Sequence, residues 1–311
     1  MRRSEVDRSK LSPMMAQYMS IKDNYEDTII FFRLGDFYEM FFDDAIIASR
    51  ELELTLTGKQ AGLEERVPMC GIPHHAYATY VDQLIEKGYK VAICEQLEDP
   101  KLTKGKVKRD VIQVVTSGTR LDDRVDAKSN NYIANIYDFN YCYGISYTDI
   151  STGEFYALVV ERDDYSVIRE VVRNGFSEVI VNDQIDRNLV NTLRTNYGVL
   201  VTITKELCEN ELYSYIYSGV EDERIIITIK HLLSYIIDTK KKELTHLQRV
   251  EVIHSNDHLL FDGNTKRNLE LTETLRNRDR MYSLLWLLDK NKTAMGSRFL
   301  KYNIENPLTS K

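Results

Sequence analysis

The apolar residues of this chain change period repeatedly, and that alternation restricts it to layered α/β architecture. LSPMMAQYMSIKDNY reads as a helix, with Ser12 as N-cap and Pro13 at the first helical position, where a missing N–H is harmless. TIIFFRLG is a short apolar run ended by a glycine, the pattern of a buried strand. DFYEMFFDDAIIASREL reads as a helix again, because Phe41, Ala45, Ala48 and Leu52 recur on one face. Strands ELTLT, YKVAICEQ and DVIQVVTSGT follow, with the helix AYATYVDQLIEKG among them. Residues 1–120 are therefore expected to form a mixed α/β domain.

The polar, charged stretch GTRLDDRVDAKSNN lacks apolar periodicity and reads as a linker, placed at 121–131. Beyond it, Ile133, Ile136, Tyr141, Tyr143, Ile145 and Tyr147 alternate about a turn at Phe139–Asn140, and DISTGEFYALVV crosses a second turn at Thr152–Gly153. Helical VIREVVRNG, strand SEVIVND and strand-like VLVTIT complete a second layered α/β domain, expected over 132–250. From about 256 the pattern is nearly all helical, so 251–311 is expected to begin an all-α domain. Its Leu284–Leu288 run needs cover from helices that the chain does not contain.

The 311 residues suit two or three domains. No run of 18 uncharged apolar residues exists, so no membrane helix is expected, and MRRSEVDRSK has no apolar core of a secretory signal. The four cysteines are widely spaced without a CxxC pair, as expected of reduced, buried thiols in a cytoplasmic protein. His254 and His258 stand four apart without a nearby third ligand, so no metal site is expected. The net charge of −7 does not advertise a nucleic-acid partner, but it is unevenly spread. Residues 1–120 carry 17 basic and 19 acidic side chains, 121–250 carry 14 and 21, and 251–311 carry 10 and 8. The acidity belongs to the middle segment, whereas Lys101, Lys104, Lys106, Lys108 and Arg109 make a basic run in the first. Such a run is a solvated loop or a phosphate contact.

Gly35-Asp36-Phe37-Tyr38-Glu39 carries the most chemistry. On the helical reading, Asp36 caps the helix, Phe37 sits at its exposed start and Glu39 completes a capping box. The functional alternative is a wedge with a polar sensor. An aromatic ring on a rigid element can insert between base steps, and a carboxylate beside it accepts a hydrogen bond from a base while being repelled by phosphates.

FFRLGDFYEMFFDDA, with SPMMAQY before it and RVPMCGIPHHA, VAICEQLEDP and KGKVKRDVIQVVTSGT after it, closely resembles the N-terminal mismatch-binding domain of the bacterial MutS family. YTDISTGEF resembles the ribonuclease H-like connector domain of that family. LLFDGNTKRNLELTETLRN and MGSRFLKYNIENPL resemble the first helices of its core and lever domain. The resemblance covers essentially the whole chain, in order. It implies that Phe37 stacks on a mispaired base while Glu39 hydrogen-bonds to it. Leu34, Lys59 and His74 fall in loops that approach DNA in relatives; Leu34 stands where methionine is frequent and Lys59 where arginine is.

The resemblance further implies a role in DNA mismatch repair in the bacterial cytoplasm and nucleoid. It implies a homodimer in the full-length protein and contact with MutL-type repair partners through the connector. ATP and magnesium are expected for the full-length protein alone, since no GxxxxGKS or GxxxxGKT occurs: Thr57-Gly58-Lys59 is preceded by Glu53 where the first glycine would stand. The chain is accordingly expected to be an N-terminal fragment that is not an enzyme and holds no cofactor. Two other classes compete. A ribonuclease H-type nuclease would draw on Asp138, Asp149, Glu154 and Glu178 to hold two magnesium ions, and the acidic middle segment suits a protein-interaction module.

Overall fold

The computed structural model describes residues 3, 6–98, 107–120, 129–253, 259, 265, 268–277 and 279–309. Residues 121–128 of the expected linker, Lys101, Lys104 and Lys106 of the basic run, and His254 and His258 lie outside the described residues. The chain forms two compact units, Met1–Ser117 with Asp238–Glu243, and Gly118–Ile237 with Leu244–Lys311.

In the first unit, α1 (Pro13–Asn24) leads into strand β1 (Thr28–Leu34), β2 (Phe37–Phe41) and helix α2 (Phe42–Glu51). Strands β3 (Thr57–Lys59) and β4 (Val67–Pro73), helix α3 (Tyr77–Glu86), and strands β5 (Lys90–Gln96) and β6 (Arg109–Val115) follow. The six strands make one mixed sheet in the order β3-β4-β2-β1-β5-β6, in which only β1 and β5 run parallel. Ser12 accepts the Met15 amide at 3.4 Å, so the predicted N-cap of α1 forms. The apolar run of β1 is explained by cover on both sides. Ile30 and Phe32 pack with Met15, Tyr18 and Met19 of α1, whereas Ile29 and Phe31 pack with Ala45 and Ala48 of α2 and Leu84 of α3.

Residues 36–41 are not helical. β2 pairs with β1 on one side and β4 on the other, so neither a helix start at Phe37 nor a capping box at Glu39 exists. A helix there would strip both neighbouring strands of their hydrogen-bond partners. The apolar spacing of Phe41, Ala45, Ala48 and Leu52 belongs to α2, which starts at Phe42. Phe42 takes the left-handed region at φ 52°, which bends the chain from strand to helix without a loop. Complete burial of its ring offsets that strain.

The second unit holds strands β7 (Tyr132–Asp138), β8 (Cys142–Asp149) and β9 (Phe155–Glu161), helix α4 (Asp164–Asn174), and strand β10 (Glu178–Val181). Helix α5 (Arg187–Tyr197), strand β11 (Leu200–Ile203), helix α6 (Glu223–Lys240) and strand β12 (Val250–Val252) complete its sheet layers. The order is β11-β10-β7-β8-β9-β12, with an antiparallel β7-β8-β9 meander flanked by parallel pairings. Helices α4 and α5 cover one face and α6 the other. At mid-sheet, Gly144 lets α6 approach closely: a Cβ there would lie 2.2 Å from Thr228 Oγ1. Gly144→Ala is expected to destabilise this unit by about 1–3 kcal/mol through overpacking, read as a lower midpoint in urea unfolding.

Past β12, the described helices are α7 (Leu284–Leu288) and α8 (Ala294–Glu305). The expected continuous helical pattern fails over 269–277 and 279–282, where Glu270 and Tyr282 adopt positive φ, 48° and 74°, and the chain turns. Only Leu285 of the leucine run is buried; Leu284, Trp286, Leu287 and Leu288 are exposed. All four cysteines are free and buried. Among the described residues, no helix is long and apolar enough to cross a membrane.

Candidate nucleic-acid interface

Strands β1 and β2 join through a two-residue loop, Gly35-Asp36, with Leu34 opposite Phe37. Gly35 has φ +58°, which the first position of such a tight turn favours and which glycine adopts without penalty. Phe37 therefore stands at a hairpin tip, with half its surface exposed. Glu39 lies two residues on. In a strand that spacing puts both side chains on the same face, whereas in the expected helix they would point to opposite sides. The change of element thus brings the two residues together.

Other side chains converge on this end of the sheet. Pro73, the last residue of β4, pairs with Phe37, and His74 follows it, its backbone N–H donating to Asp36 O at 2.9 Å. His74 Nδ1 lies 3.2 Å from the same carbonyl. Lys59, on β3, donates from Nζ to Glu39 Oε2 and sits 5.7 Å above the Phe41 ring. Leu34, Phe37 and His74 form the tip, and the Glu39–Lys59 pair lies just inside it. Lys108 is exposed beside the start of β6, its backbone N–H donating to Glu98 Oε2 at 3.2 Å.

Several residues that buttress the tip were missed as such by sequence reasoning. Arg109 stacks over Phe32 at 5.1 Å and donates from Nε to Arg33 O at 2.9 Å, tying β6 to the end of β1. Burial lowers the pKa of its guanidinium. Tyr38, on the opposite face from Phe37, donates its hydroxyl to Glu95, and Arg33 lies 5.5 Å over its ring. Burial, reinforced by Glu95, raises the Tyr38 pKa. The only sequence signal for these was membership of Arg109 in the basic run.

Residues 12–124 match the family model for MutS domain I, residues 131–248 that for MutS domain II, and residues 264–311 that for MutS domain III. The DNA mismatch repair proteins MutS of Bacillus mycoides (strain KBAB4) and Bacillus cereus (strain G9842) are each 43% identical over 305 residues, 97% of this chain and 34% of theirs. That of Bacillus thuringiensis (strain Al Hakam) is 42% identical over the same length. The chain belongs to the MutS family. It spans about a third of the length of the curated relatives it matches.

Phe37, Glu39, Lys59 and His74 all fall within the segment matched to MutS domain I. In the segment matched to MutS domain II, the four carboxylates weighed for nuclease chemistry are separately engaged. Asp138 is gripped by Nε and Nη2 of Arg162, both at 2.9 Å. Asp149 accepts from the Ser151 and Asn131 amides, at 2.8 and 3.0 Å. Glu178 accepts from the Tyr235 hydroxyl at 2.6 Å, and Glu154 from Asn130 Nδ2 at 3.2 Å. Among the described residues, no group of three or more His, Cys, Asp or Glu is arranged to hold a metal ion.

Proposed function

We propose that this chain recognises mispaired sites in duplex DNA, with Phe37 as an intercalating wedge and Glu39 as a hydrogen-bond acceptor for the displaced base. The observation that carries the reading is the half-exposed Phe37 ring at a two-residue hairpin tip, with Glu39 on the same strand face, inside the segment matched to MutS domain I. A matched duplex resists the wedge because stacking must be broken, at a cost of about a few kcal/mol per step. A mispair has already lost part of that stacking and pairing, so the same ring enters more easily. Specificity then arises from deformability, and one phenylalanine serves many mispairs. Leu34 and His74 frame the ring, while Lys104, Lys106 and Lys108 supply phosphate contacts.

On this reading the recognition step is not catalysis. The acidic middle domain is a ribonuclease H-like connector, supported by the β11-β10-β7-β8-β9 strand order, and it meets MutL-type repair proteins. Residues from 251 onward open a helical lever, supported by α8 and by the exposed apolar side chains around it. ATP with magnesium, homodimerisation and a place in the bacterial cytoplasm and nucleoid belong to the whole protein of which relatives carry about three times this length.

Glu39→Gln tests the acceptor role. A carboxylate near a phosphate is repelled by about 1 kcal/mol at high dielectric, so its removal is expected to tighten matched-duplex binding about fivefold and narrow the mismatch preference. Competition binding with matched and mismatched oligonucleotides reads both effects, and weaker matched-duplex binding by the variant would refute the assignment.

A further inference from the structure

Glu39 does not stand alone on its face. Lys59 reaches it from β3, across β4, where Gly71 opposite Glu39 contributes no side chain. The side chains of Glu39 and Lys59 are 16% and 30% exposed, so their contact is partly shielded and better held than a fully exposed pair. The Phe41 ring beneath Lys59 Nζ steadies the ammonium further. Lys59 holds Oε2, and among the described residues Oε1 takes no protein hydrogen bond.

We propose that Lys59 is the positioning residue of the reader. By gripping Oε2 it fixes the Glu39 carboxylate on the Phe37 side of the sheet and leaves Oε1 as the acceptor for a base. The proposal rests on the reading of Phe37 and Glu39 given above. It assigns discrimination to a residue whose plain chemistry suggests only affinity. A lysine that merely touched a phosphate would strengthen matched and mismatched complexes alike and would not depend on residue 39.

The two roles separate in a double-mutant cycle on the purified protein, with mismatched and matched duplexes in competition across a salt series. Lys59→Met is expected to lower the mismatch-to-match affinity ratio about three- to tenfold, a coupling ordinary for side chains in contact. In a Glu39→Gln background the same change should leave the ratio nearly unmoved, and Lys59→Arg should restore it. Equal weakening of both duplexes whatever stands at position 39, with only a shallower salt dependence, would overturn the positioning role and make Lys59 a phosphate contact. Phe37→Ala runs alongside. If that variant keeps its mismatch preference, the wedge reading itself fails and this proposal falls with it; if it loses the preference, the Lys59 result stands on its own.

Discussion

Phe37→Ala is expected to abolish most of the preference for mismatched over matched duplex while leaving salt-dependent DNA binding in place. The ring lies at a hairpin tip with half its surface free, so its removal deletes little core. The fold should therefore survive, and circular dichroism should show an unchanged melting profile. A base stacked on an aromatic side chain is worth about 1–3 kcal/mol by alanine substitution, which converts to roughly a 5- to 150-fold fall in the affinity ratio. The matched complex, which does not admit the ring, should change far less. Phe37→Tyr keeps a stacking surface and should retain most of the preference. An Ala variant with the parent's ratio would remove the wedge from the mechanism.

The largest stability effect is expected inside the same domain, at a buried ion pair. Lys22 donates to Asp44 Oδ1 at 2.8 Å and to Thr28 O at 2.6 Å, with the two side chains only 8% and 4% exposed. Asp44 Oδ2 accepts from the Tyr18 hydroxyl at 2.8 Å and from the Ile30 amide at 3.1 Å. This cluster joins α1, α2 and β1. Burial raises the Asp44 pKa, and the surrounding donors oppose that shift. Asp44→Ala leaves the buried Lys22 ammonium without its counter-ion and removes the carboxylate acceptor of the Tyr18 hydroxyl and the Ile30 amide, and is expected to destabilise the domain by about 3–5 kcal/mol. Denaturant unfolding measures it. Adding Lys22→Met should recover a large part of the loss, because the cost of a broken buried pair lies mainly in the stranded charge. A single-variant loss below about 1 kcal/mol would show that the cluster is open to water.

Much of the architecture is legible in the sequence because local chemistry and tertiary structure agree there. Ser12-Pro13 starts α1, the TIIFFRL run is buried from both sides, and the two-turn pattern around Asn140 and Gly153 becomes the β7-β8-β9 meander. The failure at 36–41 has a specific cause. Phe41, Ala45, Ala48 and Leu52 carry a true helical period, and extending it backward over Asp36 and Glu39 finds a ready-made cap. What decides the segment is pairing with β1 and β4, and β4 begins 26 residues after β2 ends. Non-local hydrogen bonding of that kind leaves no local signature.

The site shows the same division. Phe37 and Glu39 were legible as a motif, and Lys59 and His74 through the family resemblance. Their convergence was not legible, because it depends on the β3-β4-β2 register. The Glu39–Lys59 contact and the Arg109 brace on Arg33 join residues 20 and 76 positions apart. At the other end of the chain, helix-like composition over 269–282 misled for a related reason. An amphipathic stretch forms a helix where it can bury its apolar side, and here Leu269, Leu275 and Met281 remain exposed.

The wedge is tested most directly by the shape of the bound DNA. A duplex labelled at both ends with a fluorescence energy-transfer pair, with one central mispair, reports bending as a shortened end-to-end distance. At saturating protein, the parent chain should bend the mismatched duplex and leave the matched duplex near straight, and Phe37→Ala should bind without bending. An Ala variant that bends the mismatched duplex as far as the parent would contradict the account.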